Sequence, residues 1–360
     1  MTTRREFIGA GAALLGASSV GATTLLQPAK EQLDILFLGG TSFIGPHQIN
    51  YALARGHTVS MFNRGRNSGL YGARVEELIG NRDVSIDDGL KVLDGKRRWD
   101  VVVDNSGYVP RHVRDSAELL KGRCSRYVYT STIAVYDFDK AHSVDNTGPL
   151  LAAPEPATEQ VTGSTYGPLK AECDRIVQAI YGEQATIVRP TYIVGPGDST
   201  DRFTYWVERF HRGGDIVCPS GPDQEAGWID ARDLCHWMVD LAENDTPGIF
   251  NGTGPASPIT REGLMLGLRA FTNAPVQLHW PSGELLEELA FDTPMFGNRA
   301  FSIHIDASAA VVSGLSYRSL ADTVRDTHEW WTSQPAERRG NPRRWPTPEQ
   351  EAAVIARLRA

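Results

Sequence analysis

Tyr166 and Lys170 stand four residues apart in the run Tyr166-Gly167-Pro168-Leu169-Lys170. On a helix, residues i and i+4 share a face. A phenol titrates near pH ~10 and is a poor base alone. A neighbouring ammonium stabilises the phenolate and lowers that pKa. Such a pair can pass a proton to or from a substrate oxygen while a hydride moves at the adjacent carbon. The Lys170 ammonium can also bind ribose hydroxyls. Pro168 is tolerated only in the first turn of a helix, where its missing N–H costs nothing. Tyr166 is therefore expected at the helix start.

These side chains need a frame, and the chain after residue 30 provides one. Strand-like apolar runs alternate with helical patterns, which is the signature of stacked βαβ units. Strands are expected at Leu33–Leu38, Thr58–Phe62, Asp100–Asp104, Arg126–Ser131 and Ala185–Val188. Helices are expected at Ile44–Arg55, Arg111–Lys121 and Tyr166–Tyr181. Between the first strand and the first helix lies Gly39-Gly40-Thr41-Ser42-Phe43-Ile44-Gly45. A glycine loop there turns tightly and aims the free N–H groups of a helix at a pyrophosphate.

The order of glycine loop, hydroxyl-bearing strand end, YxxxK helix and Val188-Arg189-Pro190 resembles the extended short-chain dehydrogenase/reductase superfamily, and within it the NAD-dependent epimerase/dehydratase family. The likeness runs over roughly residues 33–255. It implies a Rossmann-type doubly wound parallel sheet with a smaller C-terminal α/β substrate-binding region. It also implies an NAD(P)-dependent enzyme with Tyr166, Lys170 and Thr132 as catalytic residues, Thr132 orienting the substrate and Ser131 as the fallback. The cofactor residues it implies are Gly39, Thr41, Ser42, Phe43, Ile44, Gly45, Asn63, Arg64, Asn105 and Lys170. The loop departs from the family's GxxGxxG at Ser42, whose side chain is expected to crowd the phosphates. NAD-selective members place an acid where Asn63 stands, to bind the ribose 2′-OH. Asn63-Arg64-Gly65-Arg66 has none, and arginine forks suit a phosphate. NADP is therefore favoured over NAD.

On the substrate side, Tyr108 follows Asn105-Ser106-Gly107 at one strand end, and Tyr192 begins the segment reaching Asp198 after another. Tyr108, Tyr192, Asp198, Arg202 and Trp206 are the expected pocket residues. Trp228-Ile229-Asp230 and Arg232-Asp233 fit either the cleft or a structural salt-bridge cluster. The polar stretch 137–163 reads as a lid or a plain surface loop. Four segments are expected: a signal and linker over 1–30, the NAD(P)-binding domain over 31–190, a mainly substrate-binding region over 191–333, and an arm with a final helix over 334–360.

The chain opens Arg4-Arg5-Glu6-Phe7-Ile8, followed by a weakly apolar run rich in Gly, Ala, Ser and Thr and by Val20-Gly21-Ala22. This resembles a twin-arginine signal with a peptidase site. It predicts a periplasmic enzyme and the twin-arginine export machinery as a partner, with no stable membrane insertion after cleavage. An uncleaved anchor is the alternative. The net charge of −8 disfavours nucleic acid and anionic lipid. Cys124, Cys173, Cys218 and Cys235 form no CxxC pair, and no His/Cys cluster has zinc spacing, so buried thiols and no metal are expected. The leading reading is an epimerase or dehydratase acting on a sugar-like or polyol substrate, since it regenerates its cofactor. The alternatives are a net NADP-dependent reductase or dehydrogenase and a non-catalytic NAD(P)-binding protein. A small-molecule substrate is the main partner, and a homo-oligomer is compatible with the sequence.

Overall fold

The computed structural model describes residues 27–298 and 303–360. The expected twin-arginine signal, up to residue 26, lies outside the described residues. No helix among those described is long and apolar enough to cross a membrane.

Seven parallel strands form the central sheet: β1 (Asp34–Leu38), β2 (Thr58–Asn63), β3 (Glu76–Ile79), β4 (Val101–Asp104), β5 (Arg126–Thr130), β7 (Ala185–Pro190) and β11 (Gly248–Gly252). Between β5 and β7 in the chain, β6 (Ser143–Val144) pairs with a late strand instead. The sheet order is β11-β7-β5-β4-β1-β2-β3. Helices α1 (Ile44–Ala54) and α5 (Ala231–Glu243) cover one face, and α2 (Pro110–Leu120) and α3 (Tyr166–Tyr181) the other. Alternate residues of each strand therefore enter different cores. Ile35 and Phe37 meet Ile49 and Leu234 on one side, while Leu36 and Leu38 meet Val113 and Cys173 on the other. Burial on both faces explains why β1, β4 and β7 read as nearly unbroken apolar runs. The strand order reverses beside β1, between β1 and β4, and that is where a doubly wound sheet opens a ligand crevice.

A smaller region follows. Strand β8 (Tyr192–Val194) pairs with β10 (Trp228–Asp230), and β9 (Gly214–Val217) pairs with β12 (Val276–His279). Helices α4 (Arg202–Arg212), α6 (Arg261–Arg269), α7 (Gly283–Glu288) and α9 (Leu320–Ser333) surround them, while α8 (Ser308–Val312) packs back on the central sheet through Ala310. The last short strand, β13 (His304–Ile305), is the partner of β6. Strand β6 lies within the polar stretch 137–163, so part of that stretch is paired structure.

The arm expected after residue 334 is not simply extended. It contains α10 (Ala336–Gly340), and α11 (Pro348–Arg359) follows. Asp201 holds the arm down. Its carboxylate accepts from Arg338 Nη2 at 2.5 Å and the Arg343 N–H at 2.8 Å, while Trp345 Nε1 donates to its carbonyl at 2.9 Å. Glu351 of α11 pairs with Arg209 of α4 in the interior. Proline and arginine content signalled an arm, but the acid that anchors it lies 137 residues or more away. The four cysteines are free and buried.

Candidate active site

The glycine loop turns where only glycine can. Gly39 and Gly40 have φ of 92° and 140°. A Cβ on Gly45 would stand 2.3 Å from Gly40 Cα, so the start of α1 packs on the loop backbone only without one. Ser42 is exposed and has no positive φ, so its backbone needs no glycine. Phe43, at φ 43°, carries the strained turn into α1, a conformation costing about 1–3 kcal/mol. No side chain caps this helix, and its first N–H groups and positive dipole end suit a pyrophosphate.

At the end of β2, Asn63 accepts from the Gly65 N–H at 2.6 Å. Its Nδ2 is buried without a hydrogen-bond partner. Arg64 is exposed. At the end of β4, Asn105 donates to Gln48 at 2.6 Å and accepts from Thr130 at 2.7 Å. The glycine cradle, the uncapped helix and the orphaned Asn63 donor together fit a dinucleotide. Gly39, Thr41, Ser42, Phe43, Ile44 and Gly45 would meet its pyrophosphate, and Asn63 its adenosine ribose.

Tyr166 is the first residue of α3, with Pro168 inside the first turn. Thr132, two residues past β5, caps the short turn Ile133–Val135, its hydroxyl accepting from the Ala134 N–H at 3.2 Å. Gly167 makes their meeting possible, because a Cβ there would stand 2.3 Å from the Ala134 carbonyl oxygen. The Thr132 hydroxyl lies close enough to act on the Tyr166 phenol. Burial pushes the Tyr166 phenol up to about 12, Tyr108 adds to this, and Thr132 and the Arg202 guanidinium oppose it. The rings of Tyr108 and Tyr166 lie 6.3 Å apart. Ser131, the fallback, lies near buried Asp174, and its own hydroxyl is buried without a hydrogen-bond partner.

Lys170 sits differently from the sequence expectation. Its ammonium is buried and donates to Gly107 O at 2.8 Å, Tyr129 Oη at 2.6 Å and Thr130 O at 2.7 Å. All three protons are committed, so a ribose contact requires exchanging one of them. Tyr129 in turn donates to Gly107 O at 2.6 Å. The pair thus clamps the segment that carries Tyr108. Neither Tyr129 nor Gly107 was singled out from sequence, although Tyr129 lies in the same hydroxyl-rich strand end as Thr132.

Burial drives the Lys170 pKa down to about 8. Below that pH the folded and unfolded chains are both protonated, and the full burial cost applies. Above it the folded chain gives up this proton first, the unfolded chain binds more protons, and stability rises with pH towards the ordinary lysine value. Denaturant unfolding of wild type and Lys170→Met at pH 7.5, 9 and 10 is expected to show the difference moving in favour of wild type by about 2 kcal/mol. A pH-independent difference would refute this.

The other expected pocket residues divide. Tyr192 is 38% exposed, and the Arg202 guanidinium lies 4.8 Å from its ring centroid, so these two stand at an open rim with Tyr108. Asp198 and Trp206 do not line the pocket. Asp198 is 1% exposed and turns inward to accept from the Thr200 N–H and hydroxyl. Trp206 is wholly buried in the core of the smaller region, donating to Pro294 O at 2.8 Å. Asp230, Arg232 and Asp233 form the salt-bridge cluster, joined to Arg318 and Asp326. Among the described residues no group of three His, Cys, Asp or Glu is placed to hold a metal ion.

The fold and site define a Rossmann-like α/β protein in which Tyr166 and Thr132 meet at the carboxyl edge of the sheet. The chain belongs to the NAD dependent epimerase/dehydratase family, whose model matches residues 35–251. It is 26% identical over 260 residues to the chloroplast stem-loop binding protein of 41 kDa b from Arabidopsis thaliana. That match takes in 67% of this chain and 63% of the relative's length. The Bordetella bronchiseptica enzyme WbmG, solved with NAD and UDP, superposes with a TM-score of 0.63 at 15% identity, over 85% of this chain and 96% of that one. The UDP-N-acetylglucosamine 4-epimerase of Bacillus cereus gives 0.56 at 15% identity, over 84% and 98%. At such identities the likeness to the solved structures is one of fold.

Proposed function

We propose that this chain is an NAD(P)-dependent epimerase or dehydratase acting on a sugar-like or polyol substrate. The observation that carries the reading is the meeting of Tyr166, first residue of α3, with Thr132, just past β5, at the carboxyl edge of the sheet that also carries the glycine loop. Bound NAD(P) would take a hydride from a substrate carbon and return it. Thr132 orients the substrate oxygen, and Tyr166 moves the proton on and off that oxygen. Lys170 fixes the Gly107–Tyr108 segment, so that Tyr108 stands at the wall of the cleft. Incubating the enzyme with a panel of sugars, nucleotide sugars and polyols tests the reading through product stereochemistry and loss of water. If substrate turns over only with stoichiometric consumption of added NAD(P)H, the enzyme is a net reductase instead.

Cofactor choice is a finer part of the same proposal. Solved relatives hold NAD, yet here position 63 offers an amide donor rather than an acid. Arg64 and Arg66 are exposed and enter no ion pair among the described residues. A donor and two cations suit a 2′-phosphate. NADP(H) is expected to bind more tightly than NAD(H), and Arg64→Ala should narrow the gap. Fluorescence titration giving a tenfold preference for NAD(H) would reverse the assignment.

A further inference from the structure

Tyr71 takes no part in the chemistry proposed for Tyr166 and Thr132, yet it touches the glycine loop. It lies in the connection between β2 and β3. Its ring is 5% exposed and packs in the same core as Phe37, Ile49, Met61 and Val75. Its hydroxyl donates to Gly40 O at 2.8 Å in the interior. Burial pushes the phenol up to about 12, so it stays a donor throughout the neutral range.

Gly40 needs that donor. The residue is buried, and a Cβ on it would stand 2.7 Å from Ile49 Cδ1 and 2.9 Å from Met61 Sδ. Its backbone therefore lies directly on apolar side chains. A carbonyl turned towards such a surface costs free energy unless a donor meets it. Gly45 closes on the same peptide, since a Cβ there would stand 2.6 Å from Gly40 O. The orientation of the peptide is otherwise open. Glycine lacks the Cβ that confines other residues, so the peptide joining Gly40 to Thr41 can face either way at little cost. That peptide is planar and trans, which sets its C=O and N–H in opposite directions. With Gly40 O held at Tyr71, the Thr41 N–H points out of the core. It donates to no described residue, and Thr41 is half-buried beside exposed Ser42.

The phenol is itself held firmly. Within its connection, Asn63 accepts from the Gly65 N–H, Ser68 Oγ donates to Gly65 O at 3.1 Å, and the Gly69 N–H donates to Glu77 at 2.9 Å. This braced loop begins at Asn63 and Arg64, the residues read as meeting the adenosine ribose, and ends near Tyr71 at the glycine loop. We infer that Tyr71 is a positioning residue for the dinucleotide: by fixing the Gly40–Thr41 peptide, its hydroxyl aims the Thr41 N–H at the pyrophosphate. The inference rests on the reading of this loop as the cofactor site and adds to it a residue from outside the glycine motif.

The test uses the full chain with NADP⁺ and with NAD⁺, titrated well below the melting temperature, so that a small loss of stability alone leaves Kd unchanged. Tyr71→Phe keeps the ring and its packing and removes only the hydroxyl. Its Kd for both dinucleotides should rise about three- to tenfold, the usual worth of one hydrogen bond. Phosphorus NMR at saturating NADP⁺ separates positioning from general loosening. In the variant the pyrophosphate resonances should move towards their free positions, while the 2′-phosphate resonance stays where wild type holds it. The inference is overturned if Tyr71→Phe binds as tightly as wild type, if the pyrophosphate resonances do not move, or if the 2′-phosphate moves with them. A wild-type chain that binds neither dinucleotide overturns the cofactor reading as well, whereas wild-type binding with an indifferent variant overturns only the role of Tyr71.

Discussion

Tyr166→Phe is expected to lower turnover by about 10²–10⁴-fold, the range for removing a general acid or base, with fold and cofactor affinity close to wild type. The phenyl ring keeps its place at the start of α3 and its packing near Tyr108. What is lost is one hydroxyl, which faces Thr132, at a stability cost of about 1 kcal/mol at most. The effect on chemistry is far larger, because the phenol is the proposed proton carrier. Thr132→Val should act in the same direction and more weakly, since it removes orientation and leaves the proton carrier. The check is kcat alongside the dinucleotide Kd for both variants. A Tyr166→Phe enzyme turning over at the wild-type rate would remove Tyr166 from the mechanism.

The positions of these residues were legible where local chemistry decides them. Pro168 fixed the start of α3, and the glycine loop followed from its place between an apolar strand and a helix. Alternate burial on two faces made the sheet readable as apolar runs. Long-range pairing was not legible. Lys170 looked free to reach a ribose because its acceptors come from segments 40 to 63 residues away. Tyr129 looked like strand packing, and only the fold shows its hydroxyl between Lys170 and Gly107. Trp206 read as a pocket aromatic because an amphipathic helix does not reveal which face meets a second core.

The arm shows how the same limit works in reverse. Asp201 has φ 57° and is wholly buried, a strained state for a residue other than glycine. Arg338, Arg343 and Trp345 bind it there, on the residue just before Arg202. The final segment therefore braces the loop that presents Arg202 to the cleft. On the other side of that loop, His47 of α1 hydrogen-bonds Pro196 O at 2.8 Å, and Gly197 lies against Phe43 of the cofactor turn. Cofactor loop, substrate loop and arm thus form one packed series.

Asp104→Ala is expected to cost about 3–5 kcal/mol of stability, the usual result of leaving a buried charge without its partner. Asp104 is wholly buried at the end of β4. Its oxygens accept from both terminal nitrogens of Arg82, from Tyr127 Oη at 2.8 Å and from the Ser106 N–H at 3.1 Å. Arg82 comes from the loop after β3, so the pair ties that loop to the floor of the cofactor crevice. Ser106, next in line, donates its hydroxyl to Leu38 O at 3.0 Å, just before the glycine loop. Since a domain of this kind has only about 5–15 kcal/mol in total, the variant should unfold at much lower urea and bind the dinucleotide weakly. The double variant Asp104→Leu with Arg82→Met removes both charges and should recover most of the loss, because the greater part of the penalty is the stranded guanidinium. A urea series on the two single variants and the double one decides the matter. If Asp104→Ala costs under about 1 kcal/mol, or if the double variant is as unstable as the sum of its parts, the network does not act as one buried ion pair.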